Sequence, residues 1–208
     1  MPPVSATFRS RVLPTSKVIV FLAALVPFGL LVRGMVTGDL GVNPAETIQL
    51  ETGRWALKFL LLSLAVTPVR RLTRWNPIIQ FRRMLGLFAF FYACCHFAAY
   101  WSFDLNFAFG AMVGDVVKRP FIALGFAAFL LLLPLALTST KGWIRRLGKR
   151  WTQLHRLVYA AAICAAIHFA LKVKVFTGDP VIYSAILLVL LGFRVVWELR
   201  QRRARMTG

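Results

Sequence analysis

Along this chain, six predominantly apolar stretches of about 20 residues each alternate with short polar segments, at 17–37, 47–67, 83–103, 120–139, 153–173 and 180–199. A helix of that length crosses the hydrocarbon core of a bilayer. Proline punctuates the pattern. Pro68 is expected to follow the second helix, Pro120 to open the fourth and Pro180 to open the sixth. Pro27 and Pro134 fall inside the first and fourth helices and are expected to kink them, which membrane helices tolerate.

Composition supports the same picture. The chain is 59% hydrophobic, with 18 Phe and 6 Trp, and its mean hydropathy is +0.69. Soluble domains are about 45–50% apolar. The net charge of +19 would suggest nucleic acid in a soluble protein. Here the basic residues cluster between apolar runs, so membrane topology explains them and nucleic acid is set aside. One side collects Arg9, Arg11, Lys17, the group from Arg70 to Arg83, the group from Lys141 to Arg150, and Arg200 to Arg205. The other side holds Lys118, Arg119, Lys172, Lys174 and most acids: Asp39, Glu46, Glu51, Asp104, Asp115 and Asp179. The positive-inside rule then puts both termini in the cytoplasm. The expected fold is an all-α membrane protein, a six-transmembrane-helix bundle over 17–199, with cytoplasmic tails at 1–16 and 200–208. The first apolar run lacks a small-residue cleavage site and reads as a retained helix. No repeat of 20–50 residues stands out. Cys94, Cys95 and Cys164 have no CxxC spacing and read as small core residues.

The three histidines, His96, His155 and His168, all lie inside apolar runs. An ionisable group within a membrane helix is costly and points to function. A lone imidazole there often serves as a hydrogen-bond donor between helices. Three of them, with none elsewhere, favour a cofactor. By helical rise His96 lies about 20 Å, and His168 about 24 Å, from the cytoplasmic ends of their helices. Two imidazoles at one depth from two helices are what a six-coordinate b-type haem requires. His155 sits near the cytoplasmic face, roughly 20 Å from His168 and rotated about 140° from it on an ideal helix. The matching positions on the third helix are Arg82 and Arg83. Guanidiniums suit a phosphate or a propionate. One imidazole with an arginine pair suggests a phosphate-bearing cofactor such as flavin mononucleotide, or a second, asymmetrically held haem. Plain positive-inside anchoring of the pair is equally open. Arg33, Arg54 and Lys58 could meet haem propionates but read better as interfacial side chains, and Phe97, Tyr100 and Trp101 could wall a porphyrin but read better as belt or core residues.

Several segments together resemble one family. They are GDLGVNP (38–44), TGRWALKFLL (52–61), RRMLG (82–86) with His96 beyond it, RP (119–120), LTSTKG (137–142), and LGKRWTQLHRLVY (147–159) followed by His168. In that order, on six spans, they resemble the MsrQ (YedZ) family. This is the haem-binding membrane subunit of the periplasmic protein-methionine-sulfoxide reductase system, grouped with ferric-reductase-like transmembrane domains. The resemblance implies a non-catalytic electron-transfer subunit of an oxidoreductase complex, multi-pass in the bacterial inner membrane. It implies electrons from the quinone pool or a cytosolic flavin reductase. These pass to a periplasmic molybdopterin-containing catalytic subunit, its heterodimer partner, which reduces methionine sulfoxide in oxidised proteins. It further implies haem b, one or two, and FMN, with His96, His155 and His168 as haem-associated histidines and Arg82 and Arg83 as flavin-linked. The larger oxidase relatives carry two histidines on the third helix, where this chain has one.

No GxGxxG motif is present, and the residues after the last apolar run are too few for a nucleotide-binding domain, so electrons are expected to enter from a quinol or a separate reductase. Two rivals stay open. One is a stand-alone ferric-reductase-like cytochrome. The other is a cofactor-free transporter or structural subunit, for which Glu198, at the end of the last helix, would be the best intramembrane carboxylate.

Overall fold

A computed structural model describes residues 13–173 and 178–206. The described residues form α-helices joined by short turns, without a strand. The long helices are α1 (Leu13–Thr37), α2 (Pro44–Thr73), α3 (Arg82–Ala99), α5 (Pro120–Leu137), α8 (Leu157–Val173) and α9 (Asp179–Met206). Shorter ones are α4 (Phe109–Lys118), α6 (Lys141–Leu147) and α7 (Lys149–Leu154). A 3₁₀ turn at Asn76–Phe81 leads into α3, and a π-helical turn at Tyr100–Asp104 closes it. The expected tail over 1–16 falls mostly outside the described residues, as does Lys174, while Leu13 to Ser16 already belong to α1.

Five segments are long and apolar enough to cross a membrane: Leu13–Thr37, Asn76–Asp104, Pro120–Leu137, Lys149–Val173 and Asp179–Ala204. The remaining expected span is α2, which at 30 residues has the length but carries Glu46, Glu51, Arg54, Lys58, Arg70 and Arg71. Ten of its residues are buried, so protein rather than lipid surrounds much of it and its sequence need not be apolar throughout. Outward-facing side chains of α1 and α9, among them Val18, Leu22, Leu188 and Val189, are exposed, as a lipid-facing surface requires.

Three expected boundaries change. Pro68 lies inside α2 instead of following it, and the helix continues to Thr73 before Arg74 caps it in the left-handed conformation. The last helix runs seven residues beyond 199, to Met206, because Arg, Gln, Ala and Met all favour helix. The fifth expected helix is broken: α7 ends at Leu154, a turn follows at His155 and Arg156, and α8 begins at Leu157.

Two antiparallel hairpins position the site. The α2/α3 hairpin is pinned at one end by Ser63, whose hydroxyl donates to the Arg82 carbonyl at 3.0 Å. The α5/α8 hairpin is pinned at the corresponding end by the Trp151 indole, which donates to the Thr138 carbonyl at 3.0 Å. The start of α2 is set by Asn43, which accepts from the Glu46 amide, with Pro44 in the first turn. Against this core lies α1, which continues through Pro27. The fully buried Tyr92 hydroxyl donates to the Ala24 carbonyl (2.8 Å) and accepts from the Phe28 amide (3.0 Å), groups that an uninterrupted helix pairs with each other. The Tyr92 ring stacks on Phe59, 5.4 Å away at 16°.

Candidate functional site

Between the two hairpins lie two cavities, one towards each end of the helices. Leu60 of α2 and Leu132 of α5 line both and so form the partition between them.

The first, a histidine cavity of about 200 Å³, is walled by α2, α3, α4, α5 and α8. His96 comes from α3 and His168 from α8, and their ring centroids are 6.1 Å apart at 74°. Each ring uses Nδ1 on a main-chain carbonyl. His96 Nδ1 is 2.9 Å from the Gln49 carbonyl and His168 Nδ1 is 2.6 Å from the Phe121 carbonyl. A carbonyl only accepts, so Nδ1 carries the proton and the lone pair is left on Nε2. That is the tautomer and the outer bond that a metal-ligating histidine takes. Two imidazoles on opposite sides of one metal ion, with bonds of about 2 Å, have centroids about 6 Å apart. No group of three or more His, Cys, Asp or Glu among the described residues is arranged for a bare ion. A pair of imidazoles instead suits an iron whose other four ligands come from a macrocycle. Gly53 and Gly125 face these rings without a side chain, and a Cβ at either would meet the imidazole at 3.0 and 2.7 Å.

The rim of this cavity is polar. The Tyr100 hydroxyl donates to Asp115 at 2.8 Å, and Arg119 pairs with Asp115 at 3.3 Å. Arg54, read from sequence as interfacial, lines the cavity and pairs with Glu51 (2.8 Å) and Asp179 (3.4 Å). Lys58 instead lies over the Trp55 ring at 4.2 Å. Phe97 lines the cavity and stacks on Phe129 at 5.0 Å. Its neighbour Trp101 packs beside Phe97 and Phe107.

The second, an arginine cavity of about 730 Å³, lies at the other end. His155, Arg82 and Arg83 all line it, and Arg70, Arg71, Arg156 and Arg194 join them. Glu198 of α9, itself exposed, is the one carboxylate of its lining. His155 stacks on Trp151 with centroids 3.8 Å apart, and its Nδ1 meets the Trp151 carbonyl at 3.1 Å. Its Nε2 is buried without a hydrogen-bond partner, as are Arg71 Nη1 and Thr67 Oγ1. Six guanidiniums around one carboxylate, with buried polar atoms unpaired, make an anion site with capacity to spare. The sequence reading missed four of these arginines. For Arg194 a signal existed, because it stands alone in the apolar run LLGFRVVW (190–197).

Comparison with known proteins agrees with this architecture. The family model described as "Ferric reductase like transmembrane component" matches residues 52–166, which run from the α2/α3 hairpin through most of α8. Similar proteins include three named "Protein-methionine-sulfoxide reductase heme-binding subunit MsrQ". The protein from Herminiimonas arsenicoxydans is 52% identical over 89% of this chain and 87% of its own. That from Rhodospirillum rubrum is 49% identical over 90% and 91%, and that from Xanthomonas euvesicatoria 47% over 90% and 89%. No solved structure matches. With a family model covering more than half the chain and relatives near half identity over nine-tenths of it, the chain belongs to the MsrQ family of ferric-reductase-like transmembrane proteins.

Proposed function

We propose that this protein is the membrane electron-transfer subunit of a protein-methionine-sulfoxide reductase, holding haem b between His96 and His168. The observation that carries the reading is the pair of imidazoles 6.1 Å apart, each fixed through Nδ1 with Nε2 left for a metal. When bound, the haem supplies one-electron transfer. The protein supplies orientation, axial ligation and a dry shell. The names of the relatives, each a heme-binding subunit, support the same cofactor.

In this reading α2 is the sixth span, both termini lie in the cytoplasm of a bacterial inner membrane, and the histidine cavity opens towards the periplasm. The arginine-rich ends of the hairpins face the cytoplasm, where basic residues concentrate. The arginine cavity takes the phosphate of FMN, with Arg82 and Arg83 as its binding pair and His155 beside it. Electrons arrive from the quinone pool or a cytosolic flavin reductase at that end. They leave past the Leu60–Leu132 partition to a periplasmic molybdopterin catalytic subunit.

Absorption spectra of the dithionite-reduced protein test the ligand pair. His96→Ala and His168→Ala are each expected to abolish the main Soret band, and a normal bis-histidine spectrum in His168→Ala would refute the pairing. Flavin extraction tests the second cavity. Arg82→Ala with Arg83→Ala is expected to lower FMN content while the haem between His96 and His168 stays. Equal loss of both cofactors would argue against separate sites.

A further inference from the structure

The histidine cavity is built from one local device used twice. On α2 the Gln49 carbonyl receives His96, and Gly53 stands one helical turn later with the three nearest atoms to a built Cβ all in the His96 ring. On α5 the Phe121 carbonyl receives His168, and Gly125 stands one turn later against the His168 ring in the same way. Each histidine follows its carbonyl by 47 residues. Gln49, Gly53 and His96 therefore recur as Phe121, Gly125 and His168 at a single offset of 72 positions (49 to 121, 53 to 125, 96 to 168). Leu60 and Leu132, the partition between the cavities, keep that offset, and the ligand helices repeat A-x-x-H-F-A at 93–98 and 165–170.

We infer that Gly53 and Gly125 are positioning residues for the two imidazoles. In a helix the carbonyl of residue i already accepts the amide of residue i+4, here the glycine itself. Its second lone pair is open to a side chain from a neighbouring helix only where the flank beside it is empty. Glycine leaves that flank empty. Each imidazole then lies against the facing helix, donates Nδ1–H to the carbonyl and keeps Nε2 for the iron. A methyl at Gly125 would come within 2.7 Å of the ring, closer than real Cβ contacts, and at Gly53 within 3.0 Å. Either ring would be pushed off its carbonyl. The inference rests on the proposal that His96 and His168 ligate haem.

The test compares Gly53→Ala, Gly125→Ala and a control, Gly192→Ala, whose methyl would meet nothing within 4 Å. Haem affinity, the low-spin absorption bands and the midpoint potential are read on purified full-length protein. Loss of an outer-shell partner typically costs about 10- to 100-fold in metal affinity. Gly125→Ala is expected to fall in that range with altered bands and potential, Gly53→Ala to show a smaller change, and Gly192→Ala to match the parent. If Gly125→Ala does not accumulate, Gly125→Ala/His168→Ala is expected to accumulate like His168→Ala, because the ring that the methyl strikes is gone. Parental affinity, bands and potential in both glycine variants would overturn the positioning role and leave the ligand pair standing. So would a double variant accumulating no better than Gly125→Ala alone. Parental bands in His96→Ala or His168→Ala would overturn the ligand pair, and the positioning role with it.

Discussion

Each histidine spends its Nδ1 on a main-chain carbonyl, but the source of that carbonyl differs. For His96 and His168 it comes from a facing helix, so the bond fixes the ring relative to the other hairpin strand. For His155 it comes from Trp151 in the adjacent turn, and the ring lies flat on the Trp151 indole. The Nε2 of His155 is buried without a hydrogen-bond partner, and the cavity that His155 lines holds guanidiniums rather than a second imidazole. His155→Ala is therefore expected to leave much of the Soret band intact in the reduced spectrum, with its effect confined to the arginine cavity. Tyr92 offers a different test. Its hydroxyl bridges the Ala24 carbonyl and the Phe28 amide of α1, and it lines neither cavity. Tyr92→Phe removes both of these bonds, the one to the Ala24 carbonyl being buried, at about 1–3 kcal/mol. A lowered melting temperature in detergent, with an unchanged haem spectrum, is the expected result.

At the scale of elements, the two hairpins decide the architecture. α2 against α3 and α5 against α8 bring equivalent faces together, and Leu60 and Leu132 each line both cavities. Both leucines are buried, at 2% and 7% exposure. Truncating either to alanine is expected to cost about 2–5 kcal/mol. With the proposed haem and FMN bound, the removed volume is expected to open a passage between the cavities, so the haem midpoint potential should shift when FMN is removed from Leu60→Ala but not when it is removed from the parent. Redox titration with and without bound flavin checks this. The long helices were readable from apolar run length, and some ends with them: α1 stops at Thr37 and α5 opens at Pro120 as expected, whereas the short α4 and α6 were not foreseen. Pro68 looked like a terminator, yet neighbouring helices support the turn around it. The break at His155 and Arg156 has no Pro or Gly to announce it, so spacing alone reads the segment as one helix. It also removes the fixed phase relation between His155 and His168 that an ideal helix imposes.

At the scale of the whole molecule, charge and apolarity divide the chain along one axis. The arginine cavity and the basic connections share one end, while the rim carboxylates Asp104, Asp115 and Asp179 share the other. A membrane-impermeant maleimide is expected to label Lys118→Cys in intact spheroplasts and Arg146→Cys only after permeabilisation. The reverse pattern would invert the proposed orientation. Cys94, Cys95 and Cys164 lie within helices and are at most partly exposed, so native background labelling should be low.

Run length and the placement of basic residues along the chain determined the helical membrane class and which residues share a depth, because rise per residue is constant along a helix. The motifs at 38–44, 82–86 and 147–159 carried the family. Only the tertiary structure decided which imidazoles share a cavity, which arginines surround His155, and why Gly53 and Gly125 stand where they do. Those facts depend on how hairpins lie side by side, a lateral relation that spacing along one helix does not encode. A glycine's missing side chain has meaning only once another residue is found occupying the space.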